Sequence, residues 1–198
     1  MEDDKCRRCL AGSETIQHIT AGCPTLAHTE YLHRHNCVAK IIHQGLAHNH
    51  KLIDSVTPYY QYNPEAVLEN ENHRLYWDRS IITDKTIPAN RPDIVWIDKV
   101  KQETWLIDIA IPNSNNLQST IVSKLTKYAD LAHEIKQEWH QQNVTIVPLI
   151  LSSTGIVPKM LAAHLKSLGL RPNVIIPTMQ KSVILSTCNI VRKILNLQ

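Results

Sequence analysis

A mixed α/β fold, in which helices flank a mixed central β-sheet, is predicted from three observations on this 198-residue chain. Two runs rich in Ile, Val and Trp, Asp93 to Ile97 and Thr104 to Ile111, flank a charged turn at 98–103 and read as neighbouring antiparallel strands. Leu117, Ile121, Leu125, Tyr128, Leu131 and Ile135 recur at helical spacing, which predicts one long amphipathic helix from Leu117 to His140. Val144 to Leu151 is then a continuous apolar run, the pattern of a strand buried on both faces.

The remaining elements follow in chain order. Residues 1–24 are short, polar and Cys-bearing, with no periodicity long enough for a core element. Leu26, Tyr31, Val38, Ile41, Ile42 and Leu46 mark a helix over residues 25–50, fraying near Gly45 and the His-Asn-His run. Pro58, Pro64 and several Asn and Tyr make residues 55–72 a connecting segment. Leu75 to Thr83 reads as a strand, with a turn at Asp84-Lys85 and a break at Pro88-Ala89-Asn90. Pro112-Asn113-Ser114-Asn115-Asn116 announces the long helix. A helix from Lys159 to Leu168, an extended piece at Val174 to Ile176 and a last helix over about 179–195 complete the chain. The predicted organisation is a knuckle at 1–24, helix and linker at 25–72, an α/β core at 73–170 and a helical extension at 171–198.

Composition bounds the function only loosely. Apolar residues make up 43% and charged residues 20%, as in a soluble globular protein, and phenylalanine is absent. The net charge of +3 is weaker than that of a dedicated nucleic-acid binder, so charge alone decides nothing. The acidic start Met1-Glu2-Asp3-Asp4-Lys5 is unlike a signal peptide, and no uninterrupted apolar run has the length of a membrane span. An intracellular protein, nuclear or cytoplasmic, is the expectation.

The cysteines point the same way. Five is an odd number, and three of them crowd between residues 6 and 23. Cys6-x2-Cys9-x8-His18-x4-Cys23 offers three thiolates and an imidazole, a tetrahedral Zn²⁺ set whose first pair chelates from one tight turn. So short a segment would draw its folding energy from the metal. Arg7 and Arg8 inside it suit phosphate contact or a solvated turn. His28, His33, His35, His43, His48 and His50 form no matched metal set and read mostly as surface helix residues. Cys37 and Cys188 read as small buried apolar groups.

Two aspartates demand a partner. Asp93 follows Arg91-Pro92 at a strand start, and Asp108 lies inside Trp105-Leu106-Ile107 and Ile109-Ala110-Ile111. A carboxylate buried in a strand is costly unless a cation faces it. Neighbouring antiparallel strands can bring both acids to one sheet edge, where Mg²⁺ with oxygen ligands would relieve their repulsion. Lys124 and Lys127, three residues apart on the following helix, share one helix face.

Pro92-Asp93, a spacer and Asp108 resemble the PD-(D/E)xK nuclease signature. That pattern normally has a lysine two residues after the second acid, where this chain has Ala110. With Cys6, Cys9, His18 and Cys23 ahead, Arg34-His35-Asn36-x-Val38 between, and Lys124-x-x-Lys127-Tyr128 behind, residues 6–170 resemble the C-terminal part of R-two group site-specific non-LTR retrotransposon proteins. There a CCHC zinc knuckle precedes a restriction-like endonuclease whose lysine sits on a helix.

The resemblance implies a restriction-endonuclease-like core, Mg²⁺ or Mn²⁺ on Asp93 and Asp108, and Lys124 beside the attacking water or the developing charge. Lys127 and Tyr128 would support the site or touch the backbone, and Arg7, Arg8, Arg34 and His35 would hold nucleic acid. It also implies a DNA target nicked to prime reverse transcription, element RNA as a further partner, an upstream reverse transcriptase domain, and no membrane. The alternative is a catalytically inactive, zinc-containing nucleic-acid-binding module, and a third reading is a zinc-stabilised protein-interaction domain. A chain opening at Met1 just before the knuckle, without room for a polymerase, suits the inactive module as an element remnant.

Overall fold

The hairpin quoted by the sequence pattern is the centre of the sheet. In the computed structural model, which describes residues 4–196, β3 (Ile94–Asp98) and β4 (Glu103–Ala110) pair antiparallel from Asp98↔Glu103 to Ile94↔Ile107. The first three and last two residues of the predicted terminal segments lie outside the described residues. On one side β3 pairs antiparallel with β2 (His73–Trp77), which pairs with β1 (Val67–Glu69). On the other, β4 runs parallel to β5 (Asn143–Ile150). The mixed sheet therefore has the order β1-β2-β3-β4-β5. A parallel neighbour requires a crossover, here made by α2 (Leu117–Lys127) and α3 (Ala129–Glu138).

Side-chain alternation sorts the two faces. Ile94 and Trp96 of β3 and Trp105, Ile107 and Ile109 of β4 join the larger core with α1 (Leu32–Asn49), α4 (Met160–Ser167) and α5 (Pro172–Leu195). Val95, Ile97 and Leu106 join Tyr128, Leu131 and Ile135 on the face covered by α2 and α3. Asp93 and Asp108 share the parity of that second face.

Several boundaries differ from expectation, each for a local reason. The helix expected from Leu117 to His140 is two, broken at Tyr128 (φ −104°, ψ 7°), where the fully buried ring turns toward the sheet. β2 stops at Trp77 rather than Thr83, because Asp78 adopts a left-handed conformation (φ 48°) that no strand continues through. Val174 to Ile176 is helical: α5 begins at Pro172, a residue suited to the first helical position, and tolerates Pro177 inside. The residue before a proline is normally biased toward extended conformations, so the pattern ahead of Pro177 resembles that of an extended segment.

The expected helix over 25–50 opens with short turns at His18–Gly22, Pro24–Leu26 and Ala27–Tyr31, and α1 proper starts at Leu32. β5 is buried only from Val147 onward, so one half lies under helices and the other meets solvent. Cys188 is exposed and His43 fully buried, the reverse of their expected placement.

α5 has a larger role than an appended extension. Met179 and Val183 enter the main core, while Ile190 and Ile194 pack against Cys6, Ile19, Cys23 and Leu26 of the N-terminal segment. Burying side chains of this size contributes roughly 1.5–3 kcal/mol each. The knuckle is thus held by apolar burial as well as by any metal. By length and composition α5 could cross a membrane, but here one of its faces is core.

Candidate functional site

The site forms at the open end of the β3–β4 hairpin. Asp93 stands one residue before β3, beyond the last ladder pair, Ile94↔Ile107, and so across from Asp108. The peptide N–H of Ile109 donates to Asp93 Oδ2 at 2.6 Å, so a side chain continues the ladder that the backbone has ended. Asp108, two residues inside the end of β4, is 2% exposed. The backbone dictates both placements: strand period puts Asp108 on the face of Leu106, against α2.

What Asp108 faces is cationic. Lys124 Nζ lies 2.7 Å from Oδ2, an ion-pair contact, while the Tyr128 hydroxyl donates to Oδ1 at 2.6 Å. Lys127 Nζ is 3.9 Å from Oδ1, donates to the Tyr128 oxygen at 2.8 Å and stands 4.5 Å over that ring. Burial, and then the Asp108 charge, push the Tyr128 hydroxyl well above the ordinary tyrosine range, so it remains a donor. Being fully buried, Tyr128 supports Asp108 and has no surface for a DNA backbone.

His35 reaches Asp93 from the opposite side of the sheet end. Its Nε2 is 3.0 Å from Asp93 Oδ2 and 3.2 Å from the Ile109 carbonyl, and its Nδ1 is 3.0 Å from Asn36 Oδ1. Burial opposes a charge on this ring, yet the hydrogen bond and charge of Asp93, with help from Asn36 and Asp108, raise its pKa to about 9. The two carboxylates thus meet His35 at Asp93 and Lys124 and Lys127 at Asp108. They line a cleft of about 430 Å³ with Arg91, whose guanidinium is held by Asp78 at 2.7 and 2.8 Å. Lys124 and Lys127 give the cleft a cationic side that suits an anionic guest.

Two of the three arginines expected to hold nucleic acid, Arg7 and Arg8, lie elsewhere, and the third, Arg34, stands in the cleft wall with its side chain enclosed. Arg34 is 1% exposed: its Nη1 donates to the Thr20 carbonyl and to Thr187 Oγ1, both at 2.8 Å, tying the knuckle to α5. Burial lowers its pKa to about 10. With its guanidinium enclosed, the expectation of a phosphate contact at Arg34 is corrected to a structural strut. Arg8 Nη2 donates to the Lys193 carbonyl at 3.2 Å and Arg7 pairs with Glu14 at 2.7 Å, both at the exposed side of the knuckle beside the end of α5.

Of the predicted residues, the structure brings Asp93, Asp108, Lys124, Lys127, Tyr128 and His35 together, sets the enclosed Arg34 in the wall of the same cleft, and leaves Arg7 and Arg8 out. Sequence reasoning missed His35 as a neighbour of Asp93. Consecutive helical residues point about 100° apart, so Arg34 and His35 serve different surfaces, a distinction that the run Arg-His-Asn does not carry.

The second cluster is Cys6, Cys9, His18 and Cys23, whose ligand atoms all lie within 4.8 Å of one another. Cys6 Sγ and Cys23 Sγ are 3.9 Å apart, close to the ~3.8 Å edge of a tetrahedron with Zn–S bonds of about 2.3 Å. Cys9 Sγ is 3.3 Å from His18 Nε2. The amides of Ala11 and Gly12 lower the Cys9 pKa to about 6, while burial first of all pushes Cys23 up. This Cys3His set can bind zinc.

No protein-family model and no curated protein matches the chain. The function must be read from the geometry.

Proposed function

We propose that the chain is a divalent-metal-dependent DNA endonuclease with a restriction-like core, of the kind that nicks a target to prime reverse transcription. The observation that carries this reading is the Lys124 ammonium 2.7 Å from the buried Asp108 carboxylate, with Asp93 across the ladder. Lys124 occupies functionally the place left empty by Ala110.

Asp93 and Asp108 would hold Mg²⁺ or Mn²⁺. The donors fit a hard cation: both are carboxylates, and among the described residues Asp93 Oδ1 accepts no hydrogen bond. When bound, the ion supplies a Lewis acid and an activated water for in-line attack on phosphorus. The chain's own groups do the rest. Lys124 donates to the charge growing on the non-bridging phosphate oxygens, and Tyr128 and Lys127 hold Asp108 in place. As the water's oxygen bonds to phosphorus it gives up a proton to solvent, the bond to the 3′ oxygen breaks, and that oxygen takes a proton from solvent to become the priming 3′-hydroxyl.

The test is nicking of supercoiled plasmid by zinc-loaded protein with Mg²⁺ or Mn²⁺. Wild type is expected to nick, and Asp108→Ala to lose activity. Absence of divalent-dependent cleavage would sink the reading. One observation favours the inactive nucleic-acid-binding alternative: Asp108 Oδ1 accepts from Tyr128, and Oδ2, though it accepts no hydrogen bond among the described residues, already faces the Lys124 ammonium. Under that alternative, salt-dependent DNA binding is unchanged by Asp108→Ala and no cleavage accompanies it.

A further inference from the structure

We infer that His35 is a positioning residue that presents Asp93 to a divalent cation. The inference rests on the endonuclease reading and deepens it. Asp93 lies outside the ladder, so regular pairing does not fix its side chain. Its Oδ2 is fixed by two donors instead, the Ile109 amide at 2.6 Å and His35 Nε2 at 3.0 Å. Oδ1 is left without a partner among the described residues, on a side chain that lines the cleft. Locking one carboxylate oxygen while leaving the other open is how an outer partner orients a metal ligand.

The ring is itself held. Nε2 also lies 3.2 Å from the Ile109 carbonyl, so the imidazole spans the end of β4, and Nδ1 meets Asn36 Oδ1. The first turn of α1 is anchored by the neighbouring Arg34 through Thr20 and Thr187. Both ring nitrogens already have partners within the protein. His35 therefore has no donor left for a DNA phosphate, which replaces the role first expected of it.

The experiment measures Mn²⁺ binding by the spin-resonance signal of free Mn²⁺, using zinc-loaded full-length chain, alongside plasmid nicking and DNA affinity without divalent ions. His35→Ala is expected to raise the Mn²⁺ half-saturation roughly 10- to 100-fold and to leave DNA affinity within about twofold of wild type. His35→Gln, which can donate from nearly the Nε2 position, is expected to recover most of the Mn²⁺ affinity. If His35→Ala fails to fold, Asn36→Ala, which frees the ring without removing it, is expected to shift Mn²⁺ binding in the same direction. Asp108→Ala is the control for the site and should abolish the difference.

Unchanged Mn²⁺ binding in the variants would overturn the inference, and a drop in DNA affinity alone would make His35 a phosphate contact. Wild type that nicks while His35→Ala behaves identically sinks this inference and spares the endonuclease reading. Wild type that binds Mn²⁺, loses it on His35→Ala, yet never nicks does the reverse. Wild type that binds no Mn²⁺ sinks both.

Discussion

Lys124 Nζ stands 2.7 Å from Asp108 Oδ2, so a helix-borne ammonium neutralises a carboxylate that is 2% exposed near the end of β4. The pair resolves the cost of burying Asp108, since a buried charge without a partner is among the most destabilising features a fold can carry. It also places a donor beside the cleft, where a scissile phosphate would carry its charge.

Lys124→Ala is therefore expected to lower the nicking rate by about 10²–10³-fold, the loss typical of removing one donor to developing charge. The variant Lys124→Ala with Ala110→Lys tests the idea of a displaced lysine. Ala110 shares the parity of Asp108 on β4 and lines the same cleft, so a lysine there can approach the site from the strand. Partial recovery of the single-turnover rate is expected, and no recovery would show that the helix position has its own geometry. Melting temperatures of both variants separate this outcome from unfolding.

The cysteine cluster makes a second prediction. Intact chain is expected to carry a stoichiometric zinc by mass spectrometry, and Cys23→Ser to lose it. Because Cys23 and Cys6 pack with Ile19 and Leu26 against Ile190 and Ile194, metal loss should also lower the melting temperature of the whole chain. A knuckle that folded by metal alone would instead melt separately, leaving the main transition unmoved.

Legibility from sequence divided along physical lines. The β3–β4 hairpin and the Cys6, Cys9, His18, Cys23 cluster were readable because each rests on local period or short spacing, whereas the grouping of Lys124 and Lys127 with Asp93 and Asp108 came from the motif resemblance. The break at Tyr128 was not, since its cause is a tertiary contact with Asp108, 20 residues away. β1 was missed because Val67–Glu69 is only three residues long inside a Pro- and Asn-rich stretch. The pairing of His35 with Asp93 spans 58 residues and leaves no periodic trace.

Arg34 is the residue whose expected role changed most. Removing it by Arg34→Met leaves the Thr20 carbonyl and Thr187 without their donor, which should cost about 1–3 kcal/mol in urea unfolding. The salt dependence of DNA binding should keep its slope, whereas loss of a phosphate contact would reduce that slope by about one. A reduced slope with unchanged stability would restore the nucleic-acid role.

Acid stability offers a readout independent of DNA and metal. His43 on α1 is fully buried, its Nδ1 is 2.8 Å from the Tyr62 hydroxyl, and its Nε2 has no hydrogen-bond partner among the described residues. Burial lowers its pKa to about 4, against about 6.5 for an unhindered histidine. Below pH 6.5 the unfolded chain takes up a proton at this position that the folded chain refuses, so stability is complete above that pH and falls as pH drops through about 4. The loss attributable to His43 is on the order of 3 kcal/mol across that window. Urea unfolding at stepped pH is expected to show this decline in wild type and a shallower one in His43→Gln, which keeps a polar side chain near Tyr62 but cannot ionise. Equal slopes in the two proteins would mean that His43 takes its proton without disturbing the core, and the enclosed, unprotonated ring would be the wrong description.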